Sequence, residues 1–115
     1  MRTQTAVNSF PRTTLAKAAR HVMRLGYRVD PHTGTVYNPH GVLVGKNKAR
    51  PTVTARLDGI KYGVPVNRLV GWVTFGPMAL NPKVQVRHRD SDPSNNAGRN
   101  LEMVYSQVVK QTIEA

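Results

Sequence analysis

Cysteine is missing from the sequence altogether. Disulfides, thiolate nucleophiles and cysteine-based zinc sites are therefore excluded, and the usage fits a reducing interior. Long apolar runs are missing too. No secretion-type hydrophobic segment opens the chain and no stretch approaches a membrane span, so the expected setting is the cytoplasm with no membrane partner. Acidic side chains are scarce: six Asp and Glu stand against seventeen Lys and Arg, for a formal net charge of +11. Such an excess points to a polyanionic partner held by phosphate neutralisation and counterion release. Eleven of the seventeen cations are arginine, the side chain suited to bidentate phosphate and guanine contacts. Charge kept for solubility is the plainer reading, though a balanced surface would serve that better.

The 115 residues fit one domain with an adequate but not large core. Residues 1–10 read as a loose polar arm, leaving 11–115 as the domain. Thr13 or Thr14 is a candidate cap for a helix whose Leu15, Ala18, Val22 and Leu25 recur at helical spacing up to Gly26. Lys17, Arg20, His21 and Arg24 fall on another face, either a solvated stripe or a surface laid along a phosphate backbone. Two short extended segments flank the turn Pro31-His32-Thr33-Gly34. His32 and His40 lack partners at metal-binding spacing and read as exposed loop histidines. GKNKAR, carrying Lys46, Lys48 and Arg50, lacks P-loop spacing and reads as a basic hairpin tip.

Val53, Ala55 and Leu57 alternate with polar residues up to Asp58-Gly59, a hairpin signal, and Ile60, Tyr62 and Val64 resume the alternation. Asn67 is a candidate N-cap for a core helix to about Phe75, with Leu69, Val70, Trp72, Val73 and Phe75 apolar. Trp72 reads as packing rather than base stacking. Gly76-Pro77 stops that helix. Residues 84–104, VQVRHRDSDPSNNAGRNLEMV, begin as an alternating strand and pass through His88 into a loop too rich in Asp, Ser, Pro and Asn to be regular. Asn100 closes the loop, and residues 106–113 read as a final helix.

The pattern H-x-D-x-D-P-x-N-N-x-x-x-N-L-E from His88 to Glu102 resembles the HNH nucleases of bacteriophages, particularly the homing type, commonly N-H-x-D-G-x-x-x-N-N-x-x-x-N-L-x-W. Residues 66–75 are similar to the V-H-R-L-V-A-x-A-F segment of those proteins, and YRVDPHTGTVYNPHG to their leading strand and turn. The likeness runs from about Tyr27 to Val104. It implies a small α+β domain with an N-terminal helix, an antiparallel hairpin or sheet, a core helix and an HNH-like strand–loop–strand–helix unit at 84–113. It also implies double-stranded DNA as partner and a divalent cation such as Mg²⁺ or Mn²⁺ as cofactor. His88 matches the general base, and a neutral imidazole can take a water's proton near neutral pH. Asn100 matches the Asn that braces the His or its loop.

Departures cluster at the metal. The residue before the His is commonly an Asp or Asn ligand, and here it is Arg87, which cannot ligate. The second ligand, on the following helix, falls in register on Val109. Asp90 and Gln107 are the nearest substitute oxygen donors. Met103 replaces the Trp of the pattern, and Asn67 replaces its upstream His as a capping change. These features leave three readings: a nuclease, a DNA-binding descendant whose cleavage is weak or lost, and a basic inhibitor of a host protein or nucleic-acid enzyme. The middle one is favoured, with Lys17, Arg20, Arg24, Lys46, Lys48, Arg50, Arg87, Arg89 and Arg99 as DNA contacts.

Overall fold

A computed structural model describes residues 12–45 and 50–105. Helix α1 (Thr14–Arg24) is capped by Thr13, whose hydroxyl accepts from the Ala16 N–H at 3.1 Å. Its inward face is Ala16, Ala18, Ala19 and Val22. Three alanines let the helix lie close against the following hairpin. Leu25, expected on that face, is 46% exposed. It follows the last helical turn, and Gly26 at φ +101° takes the chain away before a further buried position arises.

Strands β1 (Arg28–Asp30), β2 (Thr35–Tyr37) and β3 (Leu43–Val44) form an antiparallel sheet in that order. Strands β4 (Thr52–Leu57) and β5 (Ile60–Pro65) form a hairpin in which Leu57 faces Ile60. Asp58 and Gly59 both have positive φ, 54° and 78°, the type I′ geometry that matches strand twist. Val53, Ala55 and Val64 are buried against α1, while Ile60 at the tip is exposed.

Helix α2 (Val66–Phe75) begins one residue before the expected Asn67 cap. Pro65 is the capping residue and gives no side-chain bond. The Val66 N–H instead donates to the Pro51 carbonyl at 2.9 Å, so the backbone meets one orphan donor of the first turn. Val66, Leu69, Val70 and Gly71 are buried, whereas Val73 and Phe75 are largely exposed. The apolar stripe therefore reaches the core only through its first two turns. Gly71 lies where a Cβ would stand 3.0 Å from the Ala79 Cβ, so α2 closes tightly on the 3₁₀ turn Pro77–Leu80.

Strands β6 (Val84–His88) and β7 (Leu101–Tyr105) pair antiparallel, with His88 opposite Leu101. A second 3₁₀ turn, Gly98–Asn100, leads into β7. Residues from α1, all three sheets, α2 and the first 3₁₀ turn share one core around the fully buried Leu69, Leu80 and Leu101. The architecture is α+β, as the sequence implies. The final helix, the basic residues Lys46 and Lys48, and the arm at 1–10 lie outside the described residues. Among the described residues, no helix is long and apolar enough to cross a membrane.

Candidate nucleic-acid interface

Alternation along β6 decides where its side chains go. Val84 and Val86 are buried, Gln85 and Arg87 are exposed, and His88 follows the valines to a half-buried place. Its Nε2 lies 2.7 Å from the Asn96 side-chain oxygen. An amide oxygen can only accept, so Nε2 carries the ring proton and a neutral imidazole keeps its lone pair on Nδ1. Asn96 is just 2% exposed. A buried amide pinning one ring nitrogen is a geometry suited to a proton acceptor at the other.

Asn96 is itself held from the far side of the chain. The turn between β1 and β2 lies directly on its backbone: a Cβ on Gly34 would stand 2.1 Å from the Asn96 carbonyl carbon. The Gly98 N–H donates to the Pro31 carbonyl at 2.7 Å, and the Arg99 guanidinium to the His32 carbonyl at 3.2 Å. The turn of residues 31–34 is thus the clamp on the loop that orients His88.

Asn100 has a different office from the pairing with His88. Its Nδ2 donates to Asp90 Oδ1 at 2.9 Å and to the Asn95 carbonyl at 2.8 Å, and its Oδ1 accepts from the Asp90 N–H at 3.2 Å. Asn100 braces the loop; Asn96 is the residue that touches the ring. Asp90 is equally committed. Its Oδ1 also accepts from the Asp92 N–H at 2.9 Å and its Oδ2 from Asn95 at 2.8 Å. The Asn100 bond, then those from Asp92 and Asn95, hold the Asp90 carboxyl below its ordinary range. Asp92 is lowered by Ser94, which gives it bonds from both hydroxyl and N–H. Both carboxylates close turns, so Asp90 serves the loop rather than standing free as the oxygen donor the sequence suggested.

A cleft of about 440 Å³ opens beside β6, walled by Arg50, Asn67, Arg68, Arg87, His88 and Ser91 among others. A second, of about 280 Å³, shares Arg50, Asn67, Arg68 and His88 with it and reaches Asn96. The wall common to both is built by α2. Asn67 is not a cap: its Nδ2 donates to the Val86 carbonyl at 2.8 Å. Arg68 sends NH1 to the carbonyls of Ala79, Asn81 and Val84 at 3.1, 3.0 and 2.5 Å. These two side chains meet carbonyls on the edge of β6 that β7 does not pair. Desolvation pulls the Arg68 guanidinium below its ordinary value, though an arginine there still carries its proton. Motif spacing does not single out Arg68; a guanidinium within an apolar helix, which needs buried acceptors, is the sequence signal for it.

Of the other cations, Arg87 and Arg89 flank Glu102 at 4.0 and 3.7 Å. These are exposed pairs worth little in water. Arg89 also donates from Nε to the Leu101 carbonyl at 3.4 Å. Lys17, Arg20 and Arg24 are exposed on α1 and line neither cleft. Gln107 and Val109 lie outside the described residues.

A divalent cation beside His88 would need oxygen donors with spare lone pairs. The neighbours present are Arg87, Arg50 and Arg68, and the oxygens of Asp90 are engaged by amide and backbone donors. Among the described residues no group of three His, Asp or Glu side chains gathers to hold a metal. This part of the chain does not fit a divalent ion.

A strand carrying His88, a polar loop closed by Asn100, a returning strand and a helix packed behind them make an HNH-like fold. A solved structure, "DNA binding and cleavage by the HNH homing endonuclease I-HmuI", is similar to it with a TM-score of 0.53 and 25% identity. The match covers 76% of this chain and 52% of that one, so this chain corresponds to about half of that protein. No protein-family model matches the sequence, and no curated protein matches it.

Proposed function

We propose that this protein binds duplex DNA along its phosphate backbone and that its capacity to cleave phosphodiester bonds is weak or lost. The observation that carries this reading is the cleft at His88, whose walls, among the described residues, hold three arginines and no carboxylate. Arg50, Arg87, Arg89 and Arg99 are exposed cations, Lys46 and Lys48 stand just before Arg50 in the sequence, and Lys17, Arg20 and Arg24 supply a second basic stretch on α1. The likeness to an HNH homing endonuclease described for DNA binding and cleavage supports the same partner. Loss of cleavage follows from the donor set. His88 retains a base-like Nδ1, but charge compensation for a leaving group by a metal lacks ligands among the described residues.

The test pairs equilibrium binding with a plasmid nicking assay in Mg²⁺, Mn²⁺ and EDTA. Neutralising about five phosphates gives a slope of log K against log salt near −4 or −5. No nicking is expected with any ion. Nicking that disappears in His88→Ala, where a general base is worth roughly 10²–10⁴-fold, would show that catalysis survives. Affinity for duplex DNA that is absent or indifferent to salt would sink the DNA reading and favour an acidic protein as partner.

A further inference from the structure

Arg68 stands half-buried with its charge facing three neutral carbonyls. Among the described residues no carboxylate pairs with it. Carbonyl dipoles solvate a guanidinium but leave its net charge in place. The same cleft receives Arg50, which is exposed, and Arg87, whose acidic neighbour among the described residues is a Glu102 shared with Arg89 at 3.7 to 4.0 Å. Asn67 is spent on the Val86 carbonyl, and the charged Asp90 and Asp92 sit in the loop without lining the cleft. The cleft is therefore a concave surface with surplus positive charge, partly desolvated on the Arg68 side, where an anion gains more than it would on open surface.

We infer that this cleft seats one backbone phosphate of the duplex directly, with Arg50, Arg68 and Arg87 supplying the charge compensation and no divalent ion taking part. The inference rests on the DNA reading above. Three guanidiniums offer forked donors matched to phosphate oxygens, and the imidazole at the cleft edge offers a polar wall. Arg68 is the fixed member, because the carbonyls of Ala79, Asn81 and Val84 set its orientation. Arg50 and Arg87 are the members that adjust to the strand.

The experiment is fluorescence anisotropy on a short labelled DNA duplex, run in EDTA and in Mg²⁺. The protein is compared as parent, as Arg50→Gln with Arg87→Gln, and as Arg28→Gln with Lys61→Gln. The last pair removes the same charge from exposed strand positions that do not line the cleft. Parent affinity should be retained in EDTA. The cleft pair should weaken binding by about tenfold or more, since charge-assisted hydrogen bonds are lost, and flatten the salt slope by roughly 2. The control pair should cost less than about threefold. An Arg68→Lys variant, checked by thermal melting for fold, should weaken binding while keeping the charge. Binding that collapses in EDTA, or cleft and control pairs that lose affinity equally, would overturn the seat while leaving DNA binding intact. A parent that does not bind the duplex at all would instead remove the DNA reading on which the seat rests.

Discussion

Asn96 orients the ring of His88 from a place where water scarcely reaches, and Gly34 is what permits Asn96 to be there. At φ +71° and with the Asn96 carbonyl carbon 2.1 Å from an added Cβ, Gly34 faces both backbone strain and backbone overlap. Gly34→Ala is expected to lower stability by about 2–3 kcal/mol or more and to push the 96–98 segment away from the turn. Chemical denaturation reads the first effect, and the His88 ring signals in an NMR spectrum read the second. An Ala variant with the parent's midpoint and unchanged His88 signals would mean that the loop does not lean on this turn. Arg68 shows the same economy at another place: one side chain satisfies carbonyls from the 3₁₀ turn, the following loop and β6.

At the scale of elements, α1 divides its labour between faces. Ala16, Ala18, Ala19 and Val22 are buried, while Lys17, Arg20 and Arg24 are exposed. Replacing the three cations by Ala removes no helix-forming tendency and leaves the buried face untouched. Stability should change by less than about 1 kcal/mol, the loss of Arg24 near the C-terminal dipole included. Duplex affinity should fall several-fold, with the salt slope flatter by roughly 2 to 3. A triple variant that binds like the parent would show this face to be solvated and nothing more. The α2–β6 seam behaves differently, because Asn67 and Arg68 meet strand carbonyls there and a change in either disturbs fold and cleft together.

The whole molecule carries a large positive charge with few carboxylates to offset it, and three of those carboxylates hold turns. Asp30, Asp90 and Asp92 all lie below their ordinary values, Asp30 chiefly through the His32 N–H and the others through Asn100 and Ser94. A carboxyl whose folded value is depressed stabilises the fold above its unfolded value. That contribution fades as pH falls through the folded one. The melting temperature should therefore hold steady from neutral pH to about pH 5 and fall between about pH 4 and 2. Self-repulsion of the growing positive charge adds to the fall. Asp90→Asn should melt lower at neutral pH and show a shallower acid decline. A parent whose melting temperature stays level to about pH 2.5 would mean that the turns do not depend on their ionised carboxylates.

Sequence alone determined what neighbours along the chain can settle. The cap of α1 was narrowed to Thr13 or Thr14, and Asp58-Gly59 was marked as the two-residue hairpin turn, because caps and turns are decided by side chains a few residues apart. The basic balance was legible from composition, and the α+β class from the likeness to HNH nucleases beside the helical and alternating stretches. Tertiary structure decided the identities that depend on distant segments meeting. Asn96 rather than Asn100 faces His88, since the choice is made by a turn some sixty residues upstream pressing on the loop. Asn67 reaches a strand carbonyl instead of capping its helix, since the Pro51 carbonyl already meets the first N–H. Leu25, Val73 and Phe75 are left exposed because helical spacing gives the direction of a side chain but not whether a partner layer stands opposite it. Arg68 acquires its place in the cleft from carbonyls that only the folded chain brings within reach.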